Sequence, residues 1–218
     1  MPRTARVLPD NSIQHVINRG NKREMVFTQL VDYEDFFCLL AEAQTRIPIR
    51  ILVVCVMGNH FHIVFWIEHG DQLSAYMQWL MTKQISRYQR RHQIVGTGHV
   101  YQDRYRNFMV QDDAHLFKVL RYVEANPLRA GMVQRAEDYR WSSLSRRLTP
   151  DGRNYLADWP LPRPTNWCDY VNQGIAASEL DALRHCARRG APFGEEQWVQ
   201  HAADTYGLGH TLGKRPRE

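Results

Sequence analysis

Residues 58–65, GNHFHIVF, predict the return strand of a β-hairpin that carries two histidines. The β-branched run of residues 49–56 supplies the first strand, and residues 57–59 supply the turn. Because successive side chains of a strand point to opposite faces, His60 and His62 point the same way. Two imidazoles on one face can share a metal ion. A His-x-His pair on a strand also arises often by chance, so this pair alone does not establish a metal site.

Hydrophobic periodicity around this hairpin predicts a β-α-β-β-α-β-α order. The flanking elements are a strand over residues 13–19, a helix opened by Asp32, a helix over 71–91, a strand near 104–110, and a helix from Asp112 to about Ala125. This order fits neither a doubly wound sheet nor a helical bundle. It predicts an α+β fold in which an antiparallel sheet has helices on one face and leaves the other face free for a ligand.

The last third of the chain has a different composition. A Pro-rich stretch at residues 159–164 is followed by short helical patterns over 177–188 and 194–206 and by a basic end. We therefore predict a catalytic domain over 1–148. We predict a helical extension over 149–218 that either wraps on that domain or reaches for the partner as a DNA-binding accessory.

The overall composition suits a nucleic-acid partner without requiring one. The 218 residues include 44% hydrophobic residues and carry a net charge of +5, mostly from arginine, which favours phosphate recognition. Four separated cysteines without a C-x-x-C pair argue against a zinc ribbon. With no signal peptide and no apolar run near the ~20 residues of a membrane span, we expect a cytoplasmic protein without a membrane partner.

A basic and aromatic segment follows the hairpin. Asp103 is the only acidic residue of this segment. Its basic residues are Lys83, Arg87, Arg90, Arg91, Arg104 and Arg106. Interleaved tyrosines at 88, 101 and 105 are typical of surfaces where bases stack and phosphates pair. The alternative is a solvated basic face with partly buried tyrosines.

Tyr122 and Asn126 are four residues apart on the predicted helix, so they share one face, with Lys118 one turn earlier. A divalent ion beside a phosphodiester stabilises the charge of an in-line displacement, and Tyr122 is a suitable nucleophile. Lys118 could lower the pKa of Tyr122 or hold a phosphate. Asn126 could add an amide oxygen to the histidine ligands, and Mg²⁺ or Mn²⁺ suits such a set. No third His, Asp or Glu has a helpful spacing, which disfavours a zinc hydrolase.

Several segments in combination resemble the single-tyrosine HUH transposases, and in particular their branch of REP-associated tyrosine transposases. They are residues 15–21, 57–62, 98–105, 120–131, 138–143 and 189–194. The resemblance covers nearly the whole chain. One departure stands in the first strand, where many members have two adjacent histidines and this chain has Gln14 and His15.

The resemblance implies a ferredoxin-like fold and a metal site of His60, His62 and Asn126, with Tyr122 as nucleophile. It implies a 5′-phosphotyrosine intermediate on single-stranded DNA that carries a hairpin of a repetitive extragenic palindrome (REP). It also implies a monomer that is associated with the nucleoid and needs no small-molecule cofactor. Residues expected to contact DNA are Asn18, Arg19, Lys83, Arg87, Arg90, Arg104, Arg106, Lys118, Lys214, Arg215 and Arg217.

Two other functions remain open from the sequence. One is a nickase of the relaxase or replication-initiator type, which would cut an origin or transfer site. The other is a catalytically inactive regulator that holds nucleic-acid hairpins.

Overall fold

The structure is a computed structural model that describes residues 8–96, 98–149 and 155–213. Its strands are β1 (Ser12–Arg19), β2 (Arg50–Met57), β3 (His60–Ile67) and β4 (Arg106–Val110). Its helices are α1 (Leu30–Arg46), α2 (Gln72–Arg91), α3 (Ala114–Glu124), α4 (Asn126–Arg129), α5 (Ser143–Arg147), α6 (Trp167–Asn172), α7 (Ala177–Arg189) and α8 (Glu196–Thr205). The strands form one sheet in the order β2-β3-β1-β4, and all neighbours are antiparallel. The predicted α+β class with a ferredoxin-like antiparallel sheet is confirmed.

The hairpin of β2 and β3 has the predicted tight turn. Met57 pairs with His60, so Gly58 and Asn59 are the two turn residues. The segment before α1 closes over this turn, because the Gly58 carbonyl accepts from the amides of Val26 and Phe27. The turn that begins the histidine strand is therefore fixed from outside.

Helices α1 and α2 cover one face of the sheet, as predicted. Phe61 of β3 packs on Phe36 of α1, and Phe65 packs on Tyr76 of α2. The side chain of Asp32 accepts from the amides of Thr28 and Gln29, which satisfies donors at the start of α1. The alternation of β3 therefore turns His60 and His62 away from these two helices.

The histidine face of the sheet is not free, contrary to our expectation. Helix α3 lies on it, against β2, β3 and β4, with Leu116, Val119, Leu120 and Val123 fully buried. Its N-cap is Asp113, one residue later than predicted, and the Asp113 carboxylate accepts from the His115 amide. The apolar stripe of α3 requires a hydrophobic partner, and the sheet supplies it.

The C-terminal extension wraps on the main domain over the residues that the structure describes. Trp167 of α6 is buried, and its indole N–H donates to the carboxylate of Glu124 at 2.7 Å. The other oxygen of Glu124 accepts from the Ser143 hydroxyl. Leu183 and Phe193 of the extension belong to the same buried core as the sheet. Residues 155–213 are thus a packed layer of the fold, while their role in DNA binding stays a prediction.

Segments of the later chain also lie along both outer strands. Beside β2, the Ala157 amide donates to the Ile51 carbonyl and the Val56 amide donates to the Trp141 carbonyl. The pairing of β2 with β3 shifts register between Ile51 and Val53. At this shift the Leu52 carbonyl accepts hydrogen bonds from Arg147 and from Trp159. Beside β4, Phe193 exchanges backbone hydrogen bonds with Met109 and Gln111. Gly190, with φ of 75°, ends α7 and turns the chain toward this edge.

Within the described ranges, no helix is both long and apolar enough to traverse a bilayer.

Candidate metal and nucleophile site

The ring of His60 is oriented by the residue before it. Asn59 uses its amide N–H₂ to donate to the Arg23 carbonyl, which turns its amide oxygen toward His60 at 2.6 Å from Nδ1. Because an amide oxygen only accepts, Nδ1 of His60 carries the proton of the neutral ring. The lone pair of His60 is then on Nε2, the atom available to a metal ion.

His62 is oriented by His15 on the neighbouring strand. Nε2 of His15 lies 2.9 Å from Nδ1 of His62, and both rings are buried. If His62 binds a metal through Nε2, its Nδ1–H donates to His15, an arrangement that commonly orients histidine ligands. The rings of His60 and His62 are nearly perpendicular, with centroids 5.1 Å apart.

The donor set fits a divalent ion. Burial lowers the pKa of His60 to about 4 and holds that of His62 well below its usual value, and the positive charges of Arg19 and Arg129 add to both shifts. Both rings are therefore neutral at pH 7, which is the form that binds metals. Among the described residues no group of three or more His, Cys, Asp and Glu could hold a metal ion, which leaves the amide oxygen of Asn126 as the candidate third ligand predicted from the sequence.

Helix α3 places Tyr122 beside these histidines. The Tyr122 ring stands edge-on to His62, with centroids 5.8 Å apart, and 6.3 Å from the ring of His15. Tyr122 is 7% exposed, so its ring is held between the sheet and its neighbours instead of extending into solvent. The predicted nucleophile and the predicted metal histidines are therefore brought together within one chain.

The helix breaks at Ala125, and Asn126 begins α4 with Pro127 after it. Asn126 is buried, and its amide oxygen accepts from Nη2 of Arg129 at 2.8 Å. A carbonyl oxygen has a second lone pair, so Asn126 remains eligible as a metal ligand. The cation on the Tyr122 ring is Arg129, with Cζ 4.3 Å from the ring centroid, where the sequence had suggested Lys118.

The residues predicted to contact DNA are divided between the two faces of the sheet. Arg19 pairs with His60 across β1 and β3 and so lies on the histidine face. Its neighbour Asn18 lies on the other face, where it lines a cavity of about 960 Å³ between α2 and residues 98–105. Lys83 and Arg90 are on α2 and therefore also belong to the face opposite the histidines.

Arg87 is not a free cation, and its predicted contact with DNA stays untested. Its guanidinium pairs with Asp35 at 2.7 Å and with Glu42 at 3.2 Å, so it stabilises the packing of α1 against α2. Arg106 is exposed and donates to the Arg188 carbonyl. For the other residues predicted to contact DNA, the prediction stays untested. Arg104 is exposed, Lys118 is half-buried, and Lys214, Arg215 and Arg217 lie outside the described residues.

His15 should matter for metal binding if it orients His62. Replacing it by phenylalanine keeps a ring against Phe108, which now lies 4.6 Å away, but removes the nitrogen that faces His62. We expect His15→Phe to weaken Mn²⁺ binding by about 10- to 100-fold, as loss of such outer contacts commonly does. Calorimetric titration measures this, with His115→Phe as the control because His115 pairs with Asp113 instead. Equal Mn²⁺ affinity of His15→Phe and the unmodified chain would contradict the orienting role.

Residues 10–126 match the family described as "Transposase IS200 like". The chain belongs to this family. A protein of Haemophilus influenzae, provisionally named a REP-associated tyrosine transposase, is 23% identical over 139 residues, which cover 60% of this chain and 78% of the relative. The solved structure of a REP-associated tyrosine transposase bound to a REP hairpin shares the fold, with a TM-score of 0.54 at 16% identity over 81% of this chain and all of the other.

The segment that matches the IS200-like transposases contains nearly the whole candidate site. It begins just before β1 and ends at Asn126, so it includes His15, His60, His62 and Tyr122. Arg129 lies beyond its end. The resemblance to REP-associated transposases inferred from the sequence is confirmed by the two relatives.

Proposed function

We propose that this transposase is a metal-dependent single-stranded DNA endonuclease and strand transferase that acts on palindromic hairpins through a covalent 5′-phosphotyrosine. The observation that carries this proposal is the contact of Tyr122 with His62 inside one chain, with the Nδ1 atoms of both His60 and His62 already engaged by neighbours. A phenol and two available imidazole nitrogens together suit phosphoryl transfer better than hydrolysis by metal-bound water, because the nucleophile is part of the protein.

The residues divide the chemistry between them. His60, His62 and Asn126 would hold a divalent ion such as Mg²⁺ or Mn²⁺, which when bound would offset negative charge on the phosphate. Tyr122 forms a bond from its phenol oxygen to phosphorus, and the bond from phosphorus to the 3′ oxygen breaks. Tyr122 loses its phenol proton, and the released 3′ oxygen gains one proton to become a hydroxyl. Since the phosphotyrosine keeps the bond energy of the cut linkage, another 3′ hydroxyl can reverse or redirect the reaction without ATP.

The substrate class rests on charge and on the relatives. Arg19 and Arg129 are the cations that act on the histidine pair, so the site favours an anionic group such as a phosphodiester. A structural relative binds a REP hairpin, and we propose the same kind of partner here. We further propose a monomer in the cytoplasm near the nucleoid, with sequence-blind affinity from phosphate contacts that weakens as salt rises.

The test uses end-labelled single-stranded oligonucleotides that carry palindromes from the intergenic repeats of the host genome. We expect an SDS-resistant protein–DNA adduct with Mn²⁺ or Mg²⁺, and no adduct when EDTA removes the metal. A scrambled oligonucleotide that cannot form the hairpin is the matched control.

Other outcomes of this experiment favour other functions. Tight hairpin binding that survives EDTA, with no adduct under any metal, would support an inactive regulator and contradict the proposal. Cutting of an origin or transfer site in preference to palindromic repeats would identify a nickase of the relaxase or replication-initiator type.

A further inference from the structure

Arg129 is held by two neighbours of the candidate site. Its Nη2 donates to the amide oxygen of Asn126, and its guanidinium lies over the ring of Tyr122. Cation–π contacts of this kind favour a defined position of both partners. The contacts fix Arg129 at the side of the nucleophile, although the residue lies in a different helix from Tyr122.

This guanidinium has no anionic partner among the residues that the structure describes. Its Nε and Nη1 atoms are buried and find no acceptor there. Burial lowers the pKa of Arg129. The Tyr122 phenol, through its charge and a polar contact with the guanidinium, and the Cys55 thiol act against that shift, and neither group is a carboxylate. Arg121, a buried arginine of α3, gives Nη2 to the carbonyls of Gln173 and Gly174 and leaves Nε without an acceptor, whereas Arg129 leaves both Nε and Nη1.

Buried donors without acceptors cost free energy, and those of a charged group cost more than neutral ones. An anion that entered the site would supply the missing acceptors. The planar fork of arginine matches the oxygens of a phosphate, and such pairs are among the strong hydrogen bonds in proteins. The open groups of Arg129 therefore indicate a bound phosphate next to Tyr122.

We propose that Arg129 is a second catalytic residue, which holds the Tyr122 phenol in place and binds the phosphate that this phenol attacks. The inference rests on the proposed function and adds a residue to it. As the phenol oxygen bonds to phosphorus and the bond to the 3′ oxygen breaks, negative charge grows on the non-bridging oxygens. Arg129 stabilises that charge through Nε and Nη1, and it neither takes nor gives a proton, so the balance of the step is unchanged.

The test compares the full-length chain with Arg129→Ala in single-turnover formation of the adduct, and measures hairpin binding separately. We expect the rate to fall by about 10²- to 10³-fold, as when one transition-state donor is removed from other enzymes. Hairpin affinity should change far less than the rate. Guanidinium chloride at a non-denaturing concentration should restore at least part of the Arg129→Ala rate, because the free ion fits the space that the side chain leaves.

Arg140→Ala is the matched control, since Arg140 is an exposed arginine that pairs with Glu34 and packs on Trp141. A rate of Arg129→Ala within threefold of the unmodified chain, or a low rate that guanidinium does not raise, overturns the inference while the proposed function stands. Absence of an adduct in the unmodified chain overturns both.

If Arg129→Ala does not fold, Arg129→Lys tests the catalytic role of Arg129. Lysine keeps the charge but cannot form the planar fork. A folded Arg129→Lys protein with a rate at least tenfold lower supports the inference, and a smaller change overturns it.

Discussion

Replacing Tyr122 by phenylalanine is expected to lower adduct formation by about 10⁴-fold or more, the scale seen when a covalent nucleophile is removed. Phenylalanine keeps the ring that contacts His62 and underlies Arg129, so the change removes little more than the attacking oxygen. Hairpin binding and the melting temperature should therefore stay close to those of the unmodified chain. The measurement is the SDS-resistant adduct on labelled oligonucleotides, together with hairpin affinity.

Tyr155→Phe is the control for Tyr122→Phe. Tyr155 is another buried tyrosine, and its hydroxyl finds no hydrogen-bond partner among the described residues. Loss of that hydroxyl should leave the adduct rate within about twofold, since no catalytic contact is removed. An adduct that persists in Tyr122→Phe would show that another side chain attacks the DNA, and the assignment of the nucleophile would be wrong.

Replacing Trp167 by alanine is expected to destabilise the fold by about 3–5 kcal/mol, the range for large aromatic side chains in cores. For a chain of this size that corresponds to a fall in melting temperature of roughly 10 °C. Trp167 is 1% exposed and packs edge-on against Trp159 at 4.7 Å. The change would also deprive the buried carboxylate of Glu124 of one of its two donors. Thermal and denaturant unfolding measure the loss.

Trp167→Phe separates the two causes. Phenylalanine retains most of the apolar volume but cannot donate to Glu124, so we expect a loss of about 1–3 kcal/mol. Glu124 is two residues from both Tyr122 and Asn126, which links this extension to the geometry of the site. If Trp167→Ala unfolds with an unchanged midpoint, the extension contributes nothing to the stability of the sheet, contrary to its packing.

The candidate site was predictable where local periodicity determines it. The twofold alternation of a strand places His60 and His62 on one face, so that pair followed from spacing alone. The helical repeat does not continue from Tyr122 to Asn126, because α3 ends at Glu124 and Asn126 begins α4. The prediction that the histidine face is open was wrong, because α3 covers it. Spacing says which side of α3 is apolar, but it does not say that this side covers the histidines.

The supporting residues depend on contacts that no local pattern shows. His15 meets His62 through strand pairing across 47 residues, and Arg87 meets Asp35 through helix packing across 52 residues. Arg129 follows a helix break that redirects the chain. The helical repeat of α3 alone therefore indicates Lys118 as the cation nearest Tyr122. Asn59 carries a local signal, because an amide directly before a turn histidine can hydrogen-bond its ring, as it does here.

The segments that lie along β2 and β4 limit the association of this sheet with the sheet of another copy. An outer strand with unpaired backbone groups is a template on which a further strand can assemble. Here residues 155–157 and 191–193 already occupy part of each border. The sheet therefore has fewer unpaired backbone groups on which a strand of another copy could assemble. The strands of one molecule are thus shielded from those of another.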